Sequence, residues 1–325
     1  MNDSCVDSLA RSVAQKLTVV IPTRNRAAFL SIAIASVLAS PLIHDPHQII
    51  VVDDDSSDST AQVVEDFDTG YIRVSCHGPS GSRNAGLTAS TTPYIAFLDD
   101  DDAWLDGAME TQIEALDHDP EAAFAYGVAL AATESLDPLE ATWPPTPLAS
   151  GRVPERLYLS FPQIGAVAFR RDRLLDVGGF DTNISYGEDA DAMLRLAARH
   201  PVVGVESVSV LYRQRHPSRP RADYFWKVRS IVHWRPKHLG VGWRAFAKFD
   251  VHTRGLFASR FCEDAAWCAT NGSRRDAVLC LYRSFRISPA HALLRLLPTF
   301  WATLRNVVQT PSTPSVFKSD GQDLA

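Results

Sequence analysis

Two apolar runs in this chain each end in a row of aspartates, and few folds accommodate that arrangement. Ile49-Ile-Val-Val52 leads into Asp53-Asp54-Asp55, and Tyr94-Ile-Ala-Phe-Leu98 leads into Asp99-Asp100-Asp101-Asp102. Short apolar runs without alternation are the pattern of strands covered on both faces. Leu17-Thr-Val-Val-Ile21, closed by Pro22, is another. Helix signals fall between them. Leu30, Ile34, Val37 and Leu38 share a face, with Asn25 as the expected N-cap and Pro41 as the stop. Ser56 to Thr60 offers caps for a helix through Val63, Val64 and Phe67; Tyr71 to Ser75 predicts a strand and Gly81 to Ala89 a helix. Strands alternating with helices imply an open α/β sheet with right-handed crossovers. Ligands bind such sheets beyond the carboxyl ends of the strands, where both acidic rows sit.

Further along, Ile164 to Phe169 and Val203 to Leu211 read as strands. They flank a helix from Glu188 to Ala198 with an apolar stripe of Ala190, Met193, Leu194 and Ala197. From Ala222 to about Val308 the pattern is helical and rich in arginine, and the tail from Thr310 reads as disordered. The expected organisation is an extension over 1–16, an α/β domain over 17–221, a basic helical region over 222–309 and a tail over 310–325. Charge supports two functional regions: 19 of the 32 Lys and Arg, but only 7 of the 38 Asp and Glu, lie from Arg213 onward.

An apolar content of 46% with 22% charged residues excludes a disordered chain. Five cysteines without a C-x-x-C spacing fit neither a disulfide scaffold nor a zinc knuckle. No stretch reaches the roughly 18 apolar residues of a spanning helix, and the first residues carry acids where a signal peptide has bases. A soluble, cytoplasmic protein is expected.

Four consecutive aspartates repel one another and resist desolvation. A divalent cation relieves both costs, and hard Mg²⁺ or Mn²⁺ suits an Asp99-x-Asp101 pair completed by substrate phosphates. An isolated acidic run reads equally well as a solvated loop capping the next helix. A second acidic row at the same sheet edge shifts the balance toward a site.

The ordered set Leu17–Arg26, Ile49–Asp58, Arg83-Asn-Ala-Gly86 and Tyr94–Asp102 resembles the family 2 glycosyltransferases of the GT-A fold. The likeness continues through Val177-Gly-Gly-Phe-Asp181, Tyr186-Gly-Glu-Asp-Ala-Asp191 and Leu211-Tyr-Arg-Gln-Arg-His216, about two-thirds of the chain. The resemblance implies a GT-A sheet, mostly parallel, with flanking helices and a helical C-terminal region. It implies an inverting transferase that moves a sugar from a UDP- or dTDP-type donor to a hydroxyl of a saccharide or lipid-linked acceptor. Pro22, Thr23, Arg24 and Asp54 would hold the base, Asp54 accepting the imide N–H, with Arg83 and Asn84 at nucleotide or phosphate. Asp99 and Asp100 would lie near ribose. Asp101, with Asp99 and His216, would hold Mn²⁺ or Mg²⁺. Asp189 would be the general base and Glu188 would orient the acceptor, while Arg213 or Arg215 could neutralise phosphate.

Rival readings lack parts. Asp53-x-Asp55 matches the nucleophile motif of haloacid-dehalogenase-like phosphatases, and Val51–Asp55 an acidic receiver pocket. Both need a downstream lysine, and none stands between Lys16 and Lys227. No G-x-G-x-x-G follows the first strand, against a dinucleotide site. A non-catalytic nucleotide or membrane-surface binder would use the basic C-terminal third, including the Leu296, Leu297, Phe300, Trp301 and Leu304 face. On the transferase reading these helices form a lid or a peripheral membrane contact, and no nucleic-acid partner is expected.

Overall fold

The computed structural model describes residues 16–76, 78–144, 148–159, 161–184 and 187–213, with eight further positions from Cys262 to Pro289. The elements, in chain order, are β1 (Leu17–Thr23), α1 (Ala27–Leu38), β2 (Ile49–Asp54), α2 (Thr60–Asp66) and β3 (Gly70–Val74). Then come α3 (Pro79–Ala89), β4 (Tyr94–Phe97), β5 (Ala103–Trp104), α4 (Glu110–His118), β6 (Phe124–Ala132) and β7 (Pro138–Trp143). The series closes with α5 (Pro154–Leu159), β8 (Val167–Arg170), α6 (Arg171–Asp176), α7 (Glu188–Ala197) and β9 (Val203–Arg213).

The described strands form one sheet in the order β3-β2-β1-β4-β8-β6-β9-β5, with β7 beside β6. β1, β2, β3 and β4 run parallel, in register through Val19 opposite Ile49 and Val20 opposite Phe97. Direction reverses at β8, which is antiparallel to both β4 and β6. β6 and β9 again run with β1–β4, while β5 and β7 run against them, so the sheet is mixed but mostly parallel, as expected. The sequence pattern assigns no element to α4, β6 and β7; β6 reads Phe-Ala-Tyr-Gly-Val-Ala-Leu-Ala-Ala, too rich in alanine to announce a strand, and is decided by its neighbours.

α1 buries Ala27, Leu30, Ala33, Ile34 and Val37 against strand residues including Val19, Ile21, Ile49 and Val51. Burying each large aliphatic side chain contributes about 1.5–3 kcal/mol relative to leaving it exposed. Asn25 is not the cap: Arg26 occupies that position, and Asn25, at φ +53°, accepts from the Ser57 N–H instead. α3 lies close on β1, since a Cβ at Gly86 would strike the Val20 side chain. That approach carries Arg83 to the edge where β1, β2 and β4 end.

The chain divides into two compact units, Met1–Val241 and Gly242–Ala325. In the second, Cys262, Ala265 and Cys280 are buried, and Cys262 packs with Leu281. The expected boundary at 221–222, His216, the Leu296–Leu304 face and the tail lie outside the described residues. Among the described residues, no helix is long and apolar enough to cross a membrane.

Candidate active site

The four aspartates after β4 alternate in role. Asp99 and Asp101 keep side-chain exposures of 31% and 15%, while Asp100 and Asp102 turn inward and are buried. Asp100 accepts from Thr23 Oγ1 at 2.7 Å and Arg26 Nη1 at 2.8 Å, tying the ends of β1 and β4 together. Asp102 accepts from Gln163 Nε2 at 2.8 Å and the Arg213 N–H at 2.9 Å, tying in β9. Burial pushes the Asp100 carboxyl up to about 6, against the pull of Arg26. Burial, with the negative charges of Asp99 and Asp101, pushes Asp102 well above the usual carboxylate range. Arg213 also donates Nε to the Asp101 carbonyl at 2.6 Å and stacks over Phe29 at 4.8 Å. Its backbone and guanidinium thus brace the acidic loop.

Each accessible acid has a guanidinium. Arg26 Nη1 lies 3.1 Å from Asp101 Oδ2, and Arg83 Nη2 lies 2.7 Å from Asp99 Oδ1. Arg83 is buried and spans the site: its Nη1 donates to Glu188 at 2.6 Å, at the start of α7. Burial opposes its charge, but Asp99, Glu188 and Asp189 outweigh that and hold it protonated beyond the ordinary range. Its Nε is buried with no partner among the described residues.

Gly187 enters α7 at φ +80°, a left-handed conformation open to glycine at low cost. The turn places Glu188 and Asp189 at the helix N-terminus, where acids are favoured. Asp189 accepts from the Ala190 N–H at 2.7 Å. Burial and the neighbouring Glu188 charge push its carboxyl up to about 6, with Arg83 opposing.

The segment before α7 is latched from both sides. Asn84 donates to the Phe180 carbonyl at 2.7 Å and accepts from the Phe180 N–H at 2.8 Å, so both ends of its amide serve the backbone. Arg195, paired with Asp191 at 2.6 Å, donates to the carbonyls of Val177 and Gly179. Asn84 lines a cleft of about 410 Å³ with Val177, Phe180, Asp181 and Arg195; none of the four aspartates lines it. The structure thus gives Asn84 a latching role away from the acids, where a nucleotide contact was expected. Arg83 likewise spends its terminal nitrogens on carboxylates.

In the other acidic row, Asp53 is fully buried and accepts from the Ser56 N–H at 2.8 Å and the Tyr71 hydroxyl at 2.6 Å. Both of its carboxylate oxygens are thus engaged by protein donors, which counts against the phosphatase reading. Asp54 accepts from the N–H groups of Cys76 at 2.7 Å and Gly78 at 2.8 Å, holding the loop between β3 and α3. Arg24, 49% exposed, reaches to 4.0 Å from Asp54, while Pro22 sits in β1 opposite Val52. Pro22, Thr23, Arg24, Asp54 and Asp99–Asp101 therefore lie along one edge of the sheet, and Arg83 connects that edge to Glu188.

Two hard carboxylates on the accessible side fit Mg²⁺ or Mn²⁺, which commonly takes one or two protein carboxylates and leaves the rest to phosphate and water. Among the described residues no group of three or more His, Cys, Asp or Glu is arranged to hold a metal, so the fit is to a two-carboxylate site. Sequence reasoning missed Arg26 and Gln163. Arg26 lies inside the Leu17–Arg26 motif, but nothing in spacing says which arginine faces an acid.

The glycosyl transferase family 2 model matches residues 18–177. A GalNAc(5)-diNAcBac-PP-undecaprenol beta-1,3-glucosyltransferase of Campylobacter jejuni is 37% identical over 106 residues, 30% of this chain and 34% of that protein. A pre-mycofactocin glycosyltransferase of Mycobacterium tuberculosis is 33% identical over 193 residues, 55% of this chain and 38% of that protein. The chain thus spans little more than a third of the length of these curated relatives. The crystal structure of S. aureus TarS 1-349 superposes at TM-score 0.56 and 15% identity, over 90% of this chain and 88% of that one. Its complex with UDP scores 0.51 at 14% identity, over 90% of this chain and 91% of that one. A Pyrobaculum calidifontis mannosyltransferase in complex with GDP-Man and Mn²⁺ scores 0.50 at 16% identity, over 88% and 87%. The fold is that of the GT-A glycosyltransferases, and over residues 18–177 this chain belongs to glycosyl transferase family 2.

Proposed function

We propose that this chain is an inverting glycosyltransferase, taking a sugar from a UDP- or dTDP-type donor and placing it on an acceptor hydroxyl. The observation that carries the reading is the Arg83 bridge, which sets Asp99 at the strand edge within one guanidinium of Glu188, the neighbour of Asp189. A donor-side acid and a proton-accepting acid thus face one site from two elements. Asp99 and Asp101 would hold Mn²⁺ or Mg²⁺, which would supply Lewis-acid stabilisation of the departing diphosphate. His216 is a further ligand on this reading.

Asp54, Pro22, Thr23 and Arg24 frame the nucleobase pocket. Asp100 holds Thr23 and Arg26 in place beside the ribose. Asp189 takes the proton from the acceptor O–H as that oxygen bonds to the anomeric carbon and the bond to the diphosphate oxygen breaks. Glu188, fixed by Arg83, orients the acceptor. Attack opposite the leaving group inverts the anomeric configuration. The Campylobacter relative's name includes an undecaprenol diphosphate, and a lipid-linked saccharide acceptor at the cytoplasmic membrane face follows by analogy. The basic C-terminal third supplies the membrane contact on this reading.

The test is a panel of UDP- and dTDP-sugars with Mn²⁺, read as release of nucleoside diphosphate and by calorimetry. We expect metal-dependent binding and slow donor hydrolysis, both removed by chelation. Asp101→Asn should weaken UDP–Mn²⁺ binding by more than the roughly 10- to 100-fold that loss of an outer-shell partner costs. Nucleotide affinity indifferent to metal and to this substitution overturns the assignment.

A further inference from the structure

We propose that Arg26 couples the divalent cation to the donor diphosphate, releasing Asp101 to the metal when the phosphates arrive. The inference rests on the metal-site reading above and deepens it. One nitrogen of Arg26, Nη1, serves two carboxylates: Asp100 Oδ1 at 2.8 Å and Asp101 Oδ2 at 3.1 Å. Nε and Nη2 make no hydrogen bond among the described residues, and the side chain is 34% exposed. The residue is therefore anchored by one nitrogen and open on its other edge.

A divalent cation on Asp101 would sit about 2 Å from a carboxylate oxygen, the same group that Arg26 already holds. Two cations would then compete for one carboxylate. In this position Arg26 opposes metal binding when the metal comes alone. A diphosphate changes the balance, because the open Nε and Nη2 edge of a guanidinium matches phosphate oxygens in bidentate geometry. Turning toward phosphate removes the competitor from Asp101, while the shorter bond to the inward-facing Asp100 keeps the arginine at the site. Metal and diphosphate therefore strengthen each other's binding, and by linkage the factor is the same in both directions. Arg83 cannot serve this way, being buried between Asp99 and Glu188.

The test uses the full chain with Mn²⁺ alone, UDP alone and both, titrated by calorimetry and by the electron-spin signal of free Mn²⁺. In the parent, UDP should tighten Mn²⁺ by roughly 5- to 150-fold. Arg26→Gln should bind Mn²⁺ alone about tenfold more tightly, with the coupling reduced to about twofold or less. Arg26→Lys keeps the charge but loses the fork, so it should keep the parental Mn²⁺ affinity and lose most of the coupling. It decides the matter if circular dichroism shows Arg26→Gln to be unfolded. Parental affinity and coupling in Arg26→Gln, or parental coupling in Arg26→Lys, overturns the inference. Asp101→Asn separates the two levels. If it leaves Mn²⁺ affinity unchanged, the metal-site reading fails; if it weakens Mn²⁺ while the Arg26 variants behave as the parent, only the role of Arg26 fails.

Discussion

The strand edge and the helix edge of the site compensate their acids differently. At the strand edge, Asp100 and Asp101 share Arg26, Asp99 pairs with Arg83, and Asp54 and Asp102 hold backbone N–H groups. At the helix edge, Glu188 takes the far end of Arg83, and Asp189 holds a single N–H in a half-buried setting where desolvation and the Glu188 charge raise its pKa. Pairing fixes the position of a carboxylate and suits one that must meet a cation. Desolvation beside a like charge, without a dedicated guanidinium, strengthens a base and suits one that must take a proton.

The difference predicts unequal losses. Asp189→Asn keeps shape but removes the basic lone pair, so transfer should fall by about two to four orders of magnitude. UDP affinity should barely change. Near-parental turnover, or a product with the donor's own anomeric configuration, would erase the contrast between the two edges. Arg83→Met removes the bridge and strands Glu188, and breaking a buried pair on one side costs about 3–5 kcal/mol. Urea unfolding measures this, and a loss under about 1 kcal/mol would mean the bridge is spectator geometry.

The raised Asp189 carboxyl also sets a pH dependence. A base works deprotonated, so kcat/KM should climb about tenfold per pH unit below about 6 and level off above it. The rising limb should vanish in Asp189→Asn; a limb that survives there belongs to another group. The smallest effect is expected in the row that holds a loop. Tyr71→Phe deletes the 2.6 Å bond to Asp53 and should cost about 0.5–1.5 kcal/mol of stability, leaving UDP affinity as in the parent. Altered UDP affinity would draw Asp53 into the donor site.

Much of the first half of the fold was readable because parallel strands covered on both faces announce themselves locally. β1, β2 and β4 lie where Leu17–Ile21, Ile49–Val52 and Tyr94–Leu98 were expected, within a residue or two at each end. The second half was less so. β6 is alanine-rich and β7 is exposed along its length, so neither carries a period. β6 is held by pairing with β8 and β9, chain segments far away in sequence, and β7 by pairing with β6.

The sequence by itself determined that acids collect at the carboxyl ends of parallel strands, because short β-branched runs and the turns that follow them are local properties. It also determined the order of motifs that the family match over residues 18–177 bears out. Only tertiary structure decided which acids face outward. Four adjacent aspartates look alike in one dimension; Thr23 and Arg26 draw Asp100 inward, Gln163 and Arg213 draw Asp102, and the alternation leaves Asp99 and Asp101 accessible. Tertiary structure likewise gave Arg83 and Asn84, neighbours on one helix, different tasks. Their side chains leave α3 toward different partners, one to carboxylates 16 and 105 residues away and the other to a backbone 96 residues away. Long-range partners of this kind set the charge balance of a site, and sequence spacing carries no record of them.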